Sequence, residues 1–195
     1  MQEPDPILFE LQKMTIDLAL INRNHYLAST DRRENDIEHS FTVTLLCWYI
    51  HDRYKIGLDI SRILKYALAH DFVERYAGDV NTYASDQARE QKVKDEALAL
   101  ERLSTEFSKF PNLVSSMSDY ELKQDEESLF VWTVDKMQQL LMGDLDSWRP
   151  YHEISITYEQ FCAKSAEQLQ KSSPYARDIF NALIEYSKTT YNKET

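Results

Sequence analysis

Apolar residues recur along this chain every three or four positions, and no clear run alternates between apolar and polar residues. This spacing places apolar side chains on one side of a helix, whereas a half-buried strand would alternate. The pattern predicts about six helical segments. They cover residues 5–21, 35–54, 59–75, 86–107 and 121–142 and, as one or two helices with a break at Ser173–Pro174, residues 157–191.

Short polar residues mark the predicted starts of these helices. Asn35 or Asp36 is the expected N-cap of the second helix. Asp59 or Ser61 is the expected N-cap of the third helix, and Asp119 is that of the fifth. Such side chains accept hydrogen bonds from the N–H groups that a first helical turn leaves free.

Residues typical of tight turns are scarce, with only 3 Gly and 5 Pro. Breaks are predicted at Gly78 and at Phe110–Pro111, and Arg149–Pro150 is expected to lie in a loop. A polar stretch, residues 22–35, separates the first two helices. Because 195 residues suffice for one sizeable core, we expect a single all-α domain over residues 1–195.

Charge and cysteine content exclude several classes of protein. The net charge of -11 argues against nonspecific binding to nucleic-acid polymers, which requires a basic surface. Cys47 and Cys162 lie far apart in apolar surroundings and indicate reduced thiols, not a disulfide scaffold. The N-terminus shows no secretory signal, and no stretch approaches the roughly 18 apolar residues of a membrane span. We therefore expect a cytoplasmic protein with no membrane contact.

Two histidines and two aspartates on helix-like segments carry the chemical signal. His70 and Asp71 are adjacent in an apolar-periodic run, His39 lies upstream in ENDIEHS, and Asp135 stands among apolar residues in FVWTVDKMQQLL. Mixed nitrogen and oxygen ligands suit a divalent transition metal that activates water. Adjacent helical residues project about 100° apart, so His70 and Asp71 reach one ion only near a helix end. The set predicts one divalent ion per chain, with Mn, Co, Zn, Fe and Mg left open.

Two further carboxylates are candidates for catalysis. Glu74 lies four residues after His70 and three after Asp71, so a helix would place it on their side. A carboxylate beside the metal is a candidate general acid or base. Asp79 follows Gly78 in a predicted turn, where it would orient the attacking water.

Blander interpretations exist for these residues. A single histidine on an apolar helix face is usually a hydrogen-bonded core residue. The chain contains a second pair, His51–Asp52, without a Glu or Gly-Asp at matching spacing, and we interpret it as a surface or capping pair. For Asp135 taken alone, the structural alternative is a buried salt bridge, because a carboxylate among apolar residues needs a partner or a metal.

Together these motifs resemble a known superfamily. The order His39, His70–Asp71, Asp135 resembles the HD superfamily of metal-dependent phosphohydrolases. The finer patterns R-x-E-N-x-x-E-H-S from Arg32 and H-D-x-x-E-x-x-x-G-D from His70 are similar to those of the bacterial 5′-deoxynucleotidases within it. The resemblance covers about residues 8–142, and the helices of residues 157–191 add little to it.

The resemblance implies an all-α HD fold and a tendency to form homodimers. It implies one divalent metal, two catalytic carboxylates and two arginines at the substrate phosphate. The residues concerned are His39, His70, Asp71 and Asp135 for the metal, Glu74 and Asp79 for catalysis, and Arg23, with Arg32 in support, for the phosphate.

Three departures from the family pattern bear on the substrate. Asn24 replaces a tryptophan that shapes the sugar pocket in the family, so Asn24 is a candidate sugar-binding residue. The segment between Arg23 and His39 is one residue longer, and Asn81 stands where a proline is common. These changes leave the predicted metal ligands intact.

The leading hypothesis is a 5′-nucleotidase that releases phosphate from (deoxy)nucleoside 5′-monophosphates, with a small phosphate ester as the ligand. One alternative is an HD hydrolase of another phosphoester, such as guanosine tetraphosphate. Another is a non-catalytic nucleotide-binding HD domain. A di-iron oxygenase would need further histidines, and the remaining ones, His25, His51 and His152, form no helix-face pattern beside the site.

Overall fold

The structure, a computed structural model, describes residues 3–79 and 83–191, so Asn81 lies outside the described residues. Ten helices and two short strands occur in the described part. They are α1 (Pro6–Ala19), β1 (Asn22–Tyr26), β2 (Arg33–Asn35), α2 (Asp36–Tyr54), α3 (Ile60–Ala69), α4 (Glu74–Ala77), α5 (Asp86–Glu106), α6 (Pro111–Leu122), α7 (Glu126–Leu145), α8 (Arg149–Glu153), α9 (Tyr158–Lys171) and α10 (Arg177–Thr190). The all-α prediction is confirmed. No helix in these two ranges is long and apolar enough to cross a membrane.

Helix α3 lies between two groups of buried apolar side chains. Ile63 and Tyr66 pack in a core that includes α2, α7 and the C-terminal helices. Ala69, at the other end of α3, packs with Met14 of α1 and Leu103 of α5. Because apolar burial is the main favourable term in folding, the end of α3 is held on both sides. His70 and Asp71 follow immediately at this junction.

Caps at the helix starts explain several element boundaries. The Asn35 side chain accepts from the N–H of Glu38, and the Glu38 carboxylate accepts from the N–H of Asn35, which forms a capping box at the start of α2. Asp59 accepts from the first-turn N–H groups of α3. Both caps are among those that the sequence predicts.

The structure corrects the predicted helices in three places. The third helix ends at Ala69, and a turn separates it from the short α4. Pro111 begins α6 and does not end a helix, since the first helical position needs no N–H donor. Asp119 therefore lies inside α6, and Asp125 caps α7.

The same principle corrects the loop expected at Arg149–Pro150, where α8 begins with a proline in its first turn. The break expected at Ser173–Pro174 is confirmed, because α9 ends at Lys171 and α10 begins at Arg177.

The polar stretch between α1 and α2 folds as an antiparallel hairpin. Asn22 pairs with Asn35, and Tyr26 pairs with Arg33. Between these two pairs β1 advances by four residues, whereas β2 advances by only two. The extra residues make β1 a bulged strand, and a bulge changes the direction of side chains locally. This irregular strand carries Arg23 to the site described next.

Candidate active site

Three helices bring four predicted metal ligands together. His39 lies in the first turn of α2, His70 is the C-cap residue of α3, Asp71 follows it, and Asp135 lies in the middle of α7. The Nε2 atom of His39 is 3.2 Å from Nε2 of His70 and 3.2 Å from Oδ1 of Asp135. The Oδ2 atom of Asp71 is 3.2 Å from Nε2 of His70 and 3.5 Å from Nε2 of His39.

These separations fit a single divalent ion. Protein nitrogen and oxygen ligands lie about 2.0–2.2 Å from zinc, so neighbouring ligand atoms of one ion are roughly 3–3.5 Å apart. The His39, His70 and Asp135 ligand atoms lie within 4.8 Å of one another. Asp71 belongs to an adjoining group of close carboxylates with Asp36 and Glu74, and it contacts both histidines of the first group. The prediction that the end of a helix lets both His70 and Asp71 reach the site agrees with this geometry.

Hydrogen bonds behind the two imidazoles orient them toward this centre. Nδ1 of His70 lies 2.8 Å from the carbonyl oxygen of Ala67. A carbonyl can only accept, so Nδ1 carries the proton and Nε2 presents a lone pair. Nδ1 of His39 lies 3.0 Å from Oε1 of Gln138, whose amide nitrogen donates to Glu34 at 2.8 Å. The orientation of Gln138 therefore directs the His39 lone pair to the same point.

The electrostatics of the cluster favour a cation at its centre. Burial and Arg23 lower the pKa of His39, but hydrogen bonds to Asp135 and Glu34 outweigh them and raise it to about 9. In the absence of metal, a proton on His39 supplies the positive charge that these carboxylates attract. A divalent ion would supply it when bound, with both imidazoles neutral.

Arg23 connects this cluster to the neighbouring carboxylates. Its Nη1 atom donates to Oδ2 of Asp71 at 2.6 Å and to Oδ1 of Asp36 at 3.0 Å, and it lies 3.6 Å from Oε2 of Glu74. Burial opposes the guanidinium charge, but Asp71 and Glu74 raise the pKa of Arg23 well above its usual value. Arg23 is thus a permanent cation beside the predicted metal ligands.

Glu74 has the properties of a group that carries a proton. It is buried at the start of α4, with Oε1 3.3 Å from Nζ of Lys92. Burial, and then the Asp71 charge, raise the pKa of Glu74 well above its ordinary value. A carboxyl group with a raised pKa, three residues after Asp71, is suited to general acid–base catalysis.

A pocket of about 100 Å³ opens beside these groups. Its charged lining residues are joined by ion pairs that run from Asp71 through Arg23 to Glu74 and Lys92, and they also include Asp79, Asp135 and Lys136. We call this group the charged end. The aromatic end is the group in which the Tyr151 ring contacts both His25 and Tyr83, with Pro150 and Ile154 also lining the pocket.

The structure separates the two remaining substrate candidates. Asn24 lines the pocket. Arg32 does not, and its guanidinium forms two hydrogen bonds with the Glu38 carboxylate, at 2.9 and 2.7 Å. Glu38 is also the capping-box residue of α2, so Arg32 supports that helix start. His51 lies elsewhere, and its Nε2 is 3.0 Å from the carbonyl oxygen of Leu58 in the loop between α2 and α3.

Sequence reasoning missed several pocket residues. Lys92 comes from α5, Lys136 and Gln139 from α7, and Tyr151 from α8. Lys136 follows Asp135 directly, and that adjacency was a signal available in the sequence. Lys92 belongs to a strongly charged helix in which the sequence gives every lysine the character of a surface residue. Only the tertiary packing, which brings Lys92 to Glu74, distinguishes it from the other lysines of that helix.

Solved structures share this fold. A predicted metal-dependent phosphohydrolase from Magnetospirillum magnetotacticum superimposes with a TM-score of 0.75 at 21% identity, over 95% of this chain and 97% of that one. The HD phosphohydrolase of cyanophage S-2L, solved with dA and one catalytic Zn²⁺, gives 0.60 at 17% identity, over 97% and 99%. The PH0347 protein of Pyrococcus horikoshii gives 0.62 at 20% identity, over 91% and 98%. At these identities the similarity establishes the fold alone.

Sequence comparison adds a family assignment. None of the curated protein sequences matches this chain significantly. The family model described as HD domain matches residues 17–177, a range that includes His39, His70–Asp71 and Asp135. Since this match covers well over half of the sequence, the chain belongs to the HD-domain family.

Proposed function

We propose that this protein is a metal-dependent phosphohydrolase that acts as a 5′-nucleotidase on (deoxy)nucleoside 5′-monophosphates. The observation that carries the proposal is the convergence of two imidazole lone pairs and two carboxylates, His39, His70, Asp71 and Asp135, at the charged end of a pocket. An amphiphilic substrate, charged at the phosphate and apolar at the base, matches a pocket of the same polarity.

These four residues would hold one divalent ion, whose bound form polarises a phosphate and lowers the pKa of water. Glu74, buried and with a raised pKa, moves the proton during the reaction. Asp79 lies on the same pocket wall and aligns the attacking water. Arg23 binds the phosphate, since its planar guanidinium offers several donors and its ion pairs with Asp36, Asp71 and Glu74 all use Nη1.

The aromatic end of the pocket supports a nucleoside as the leaving group. Tyr83 and Tyr151 meet edge to face with ring centroids 5.6 Å apart, and both line the pocket. Aromatic side chains bind bases by stacking without strong sequence preference. The cyanophage relative binds dA, which is a nucleoside of this class. Asn24 also lines the pocket, and we assign it the contact with the sugar.

A screen of phosphate release tests the proposal. Metal-stripped protein is supplied with Mn²⁺, Co²⁺, Zn²⁺, Fe²⁺ or Mg²⁺ and offered nucleoside 5′-mono-, di- and triphosphates and guanosine tetraphosphate. We expect equal amounts of phosphate and nucleoside from monophosphates, and loss of this release in Asp135→Ala. His51→Ala, away from the pocket, is the matched control. Release from no monophosphate under any metal would refute the nucleotidase, and release only from guanosine tetraphosphate would assign another HD hydrolase.

The proposed active form is a homodimer. Phe41, Leu45 and Trp48 form a stripe on α2, at helical spacing, and their exposed fractions are 68%, 52% and 59%. A groove lined by Leu68 and Phe110 adjoins Phe41. A stripe and a groove on one face can be buried together when two copies pack about a twofold axis. Sedimentation of Trp48→Glu tests this, since a dimer should become a monomer, whereas Leu98→Glu, exposed on α5, should not change it.

A further inference from the structure

His25 lies where the bulged strand β1 meets the aromatic end of the pocket. Arg23, Asn24 and His25 all line this pocket. A regular strand points successive side chains to opposite faces, so three consecutive residues on one wall require an irregular backbone. The mismatch between β1 and β2, four steps against two, supplies it. Arg23 and His25, two residues apart, share one face of the strand, and the irregularity lets Asn24 between them line the same pocket.

The imidazole of His25 has an unsatisfied polar atom. Its Nε2 is buried and has no hydrogen-bond partner among the described residues. The ring contacts Tyr151, with centroids 5.7 Å apart. Burial, and then the Arg23 charge, lower the pKa of His25 to about 3, so the ring is neutral near pH 7. A buried polar group without a partner is costly, and a ligand that supplies the partner recovers that cost.

The position of His25 relative to Arg23 indicates which part of a ligand it meets. Two strand residues span roughly 7 Å along the chain. That is the scale that separates the 5′-phosphate of a nucleotide from its sugar hydroxyl groups. A neutral imidazole donates or accepts one hydrogen bond at Nε2, and a hydroxyl can do the reverse in either case.

The neighbouring residue, Tyr26, is already occupied. Its hydroxyl donates to Glu153 at 3.1 Å, and its ring is covered by the guanidinium groups of Arg33 and Arg149 at 4.4 and 3.7 Å. Tyr26 is also absent from the residues that line the pocket. Of the two aromatic residues in β1, His25 is thus the one free to meet a ligand.

We propose that His25 is a specificity-determining residue that hydrogen-bonds a hydroxyl group of the substrate sugar. The inference rests on the proposed nucleotidase function and adds the residue that recognises the sugar. A site that pairs a buried polar atom with a substrate hydroxyl rejects the analogue without that hydroxyl, because the atom is again left unpaired.

Kinetics with a graded substrate set test this role. The values of kcat and KM are measured for AMP, dAMP, 2′,3′-dideoxyadenosine 5′-monophosphate and p-nitrophenyl phosphate, with wild type, His25→Phe and His25→Gln. His152→Phe, an exposed histidine outside the pocket, is the control. We expect the wild type to prefer a hydroxyl-bearing nucleotide over the dideoxy compound by about tenfold or more. AMP against dAMP shows whether the 2′- or the 3′-hydroxyl is bound.

In His25→Phe this preference should fall to about twofold or less, chiefly through a higher KM, since the contact exists before and during reaction. His25→Gln should keep part of it, and p-nitrophenyl phosphate, which has no sugar, should be unaffected. A preference that survives both substitutions, or an equal loss on all four compounds, would overturn the role of His25 and leave the nucleotidase standing. Wild-type turnover of p-nitrophenyl phosphate without any nucleotide would overturn both.

Discussion

The Nδ1 atom of His39 lies 3.0 Å from the side-chain oxygen of Gln138, one helical turn beyond Asp135 on α7. Gln138 is buried and donates in turn to Glu34, which is also buried. One helix therefore supplies a predicted metal ligand, Asp135, and the group that orients another ligand, His39. The hydrogen-bonded chain keeps the Nε2 lone pair of His39 on the metal side without placing Gln138 in contact with the ion.

Replacing Gln138 with leucine should weaken metal binding without removing a ligand. The loss of such an orienting hydrogen bond typically costs 10–100-fold in metal affinity. Titration of the metal against a chelator measures this change. Gln168→Leu, a buried glutamine on α9, is the control and should bind metal normally. Unchanged affinity in Gln138→Leu would show that the imidazole keeps its orientation by packing alone.

Metal content should be about one divalent ion per chain, because the ligand atoms of His39, His70 and Asp135 lie within 4.8 Å of one another. The neighbouring carboxylate group, formed by Asp36, Asp71 and Glu74, already has the Arg23 guanidinium as its cation. Elemental analysis should show the metal lost from both His39→Ala and Asp135→Ala. Full retention in either variant would remove that residue from the site. Stripping the metal should also lower the melting temperature, since an ion at one hundred times its Kd stabilises the fold by about 2.7 kcal/mol.

Glu74→Gln should reduce kcat by about 10²–10⁴-fold while the metal stays bound, because the amide keeps the size of the side chain but cannot transfer a proton. The contact of Glu74 with Lys92 at 3.3 Å makes Glu96→Gln a useful control, since Glu96 also pairs with Lys92. Calorimetry distinguishes the roles. Loss of metal in Glu74→Gln would make Glu74 a ligand, and near-normal turnover would contradict proton transfer.

The helices and the cluster of candidate metal ligands could be predicted from the sequence for a shared reason. Apolar periodicity is a local property, and His39, His70 and Asp135 each stand on a strongly periodic segment. The order of these residues along the chain resembles the HD superfamily motif, and this resemblance groups them into one predicted site. The N-cap at Asn35 is local as well, and it is one of the two residues, Asn35 and Asp36, that the sequence predicts for it.

What the sequence missed depends on tertiary structure or on short elements. The strands of the hairpin are polar and only five and three residues long, so they show no alternation to detect. Helix α6 begins at Pro111, a residue that equally well marks a turn. Tyr151 lines the pocket and packs against Trp148, with ring centroids 5.1 Å apart. No local sequence pattern predicts that contact.

The Trp148 packing makes Gly143 a sensitive position. A methyl group at Gly143 would overlap the indole of Trp148, whereas one at Gly57 would meet no atom within 4 Å. Overpacking of a core typically costs about 1–3 kcal/mol. Gly143→Ala should therefore lower the free energy of unfolding by that amount in a denaturant titration, and Gly57→Ala should leave it nearly unchanged. A Gly143→Ala protein as stable as the wild type would show that the indole moves aside freely.

A prediction for the sugar preference rests on Asn24, which lines the pocket and which, by the sequence resemblance, replaces a tryptophan. A side chain of roughly half that size leaves room for a 2′-hydroxyl, and its amide can hydrogen-bond one. Free space around a sugar distinguishes weakly between substrates with and without a hydroxyl group, whereas a hydrogen bond to that hydroxyl distinguishes strongly between them. We therefore expect ribonucleotides to be cleaved with an efficiency comparable to that for deoxynucleotides. The measurement is kcat/KM for the pair AMP and dAMP, and Asn24→Trp should restore a deoxy preference. A wild-type deoxy preference above roughly a hundredfold, about 2.7 kcal/mol, would mean that another side chain excludes the 2′-hydroxyl.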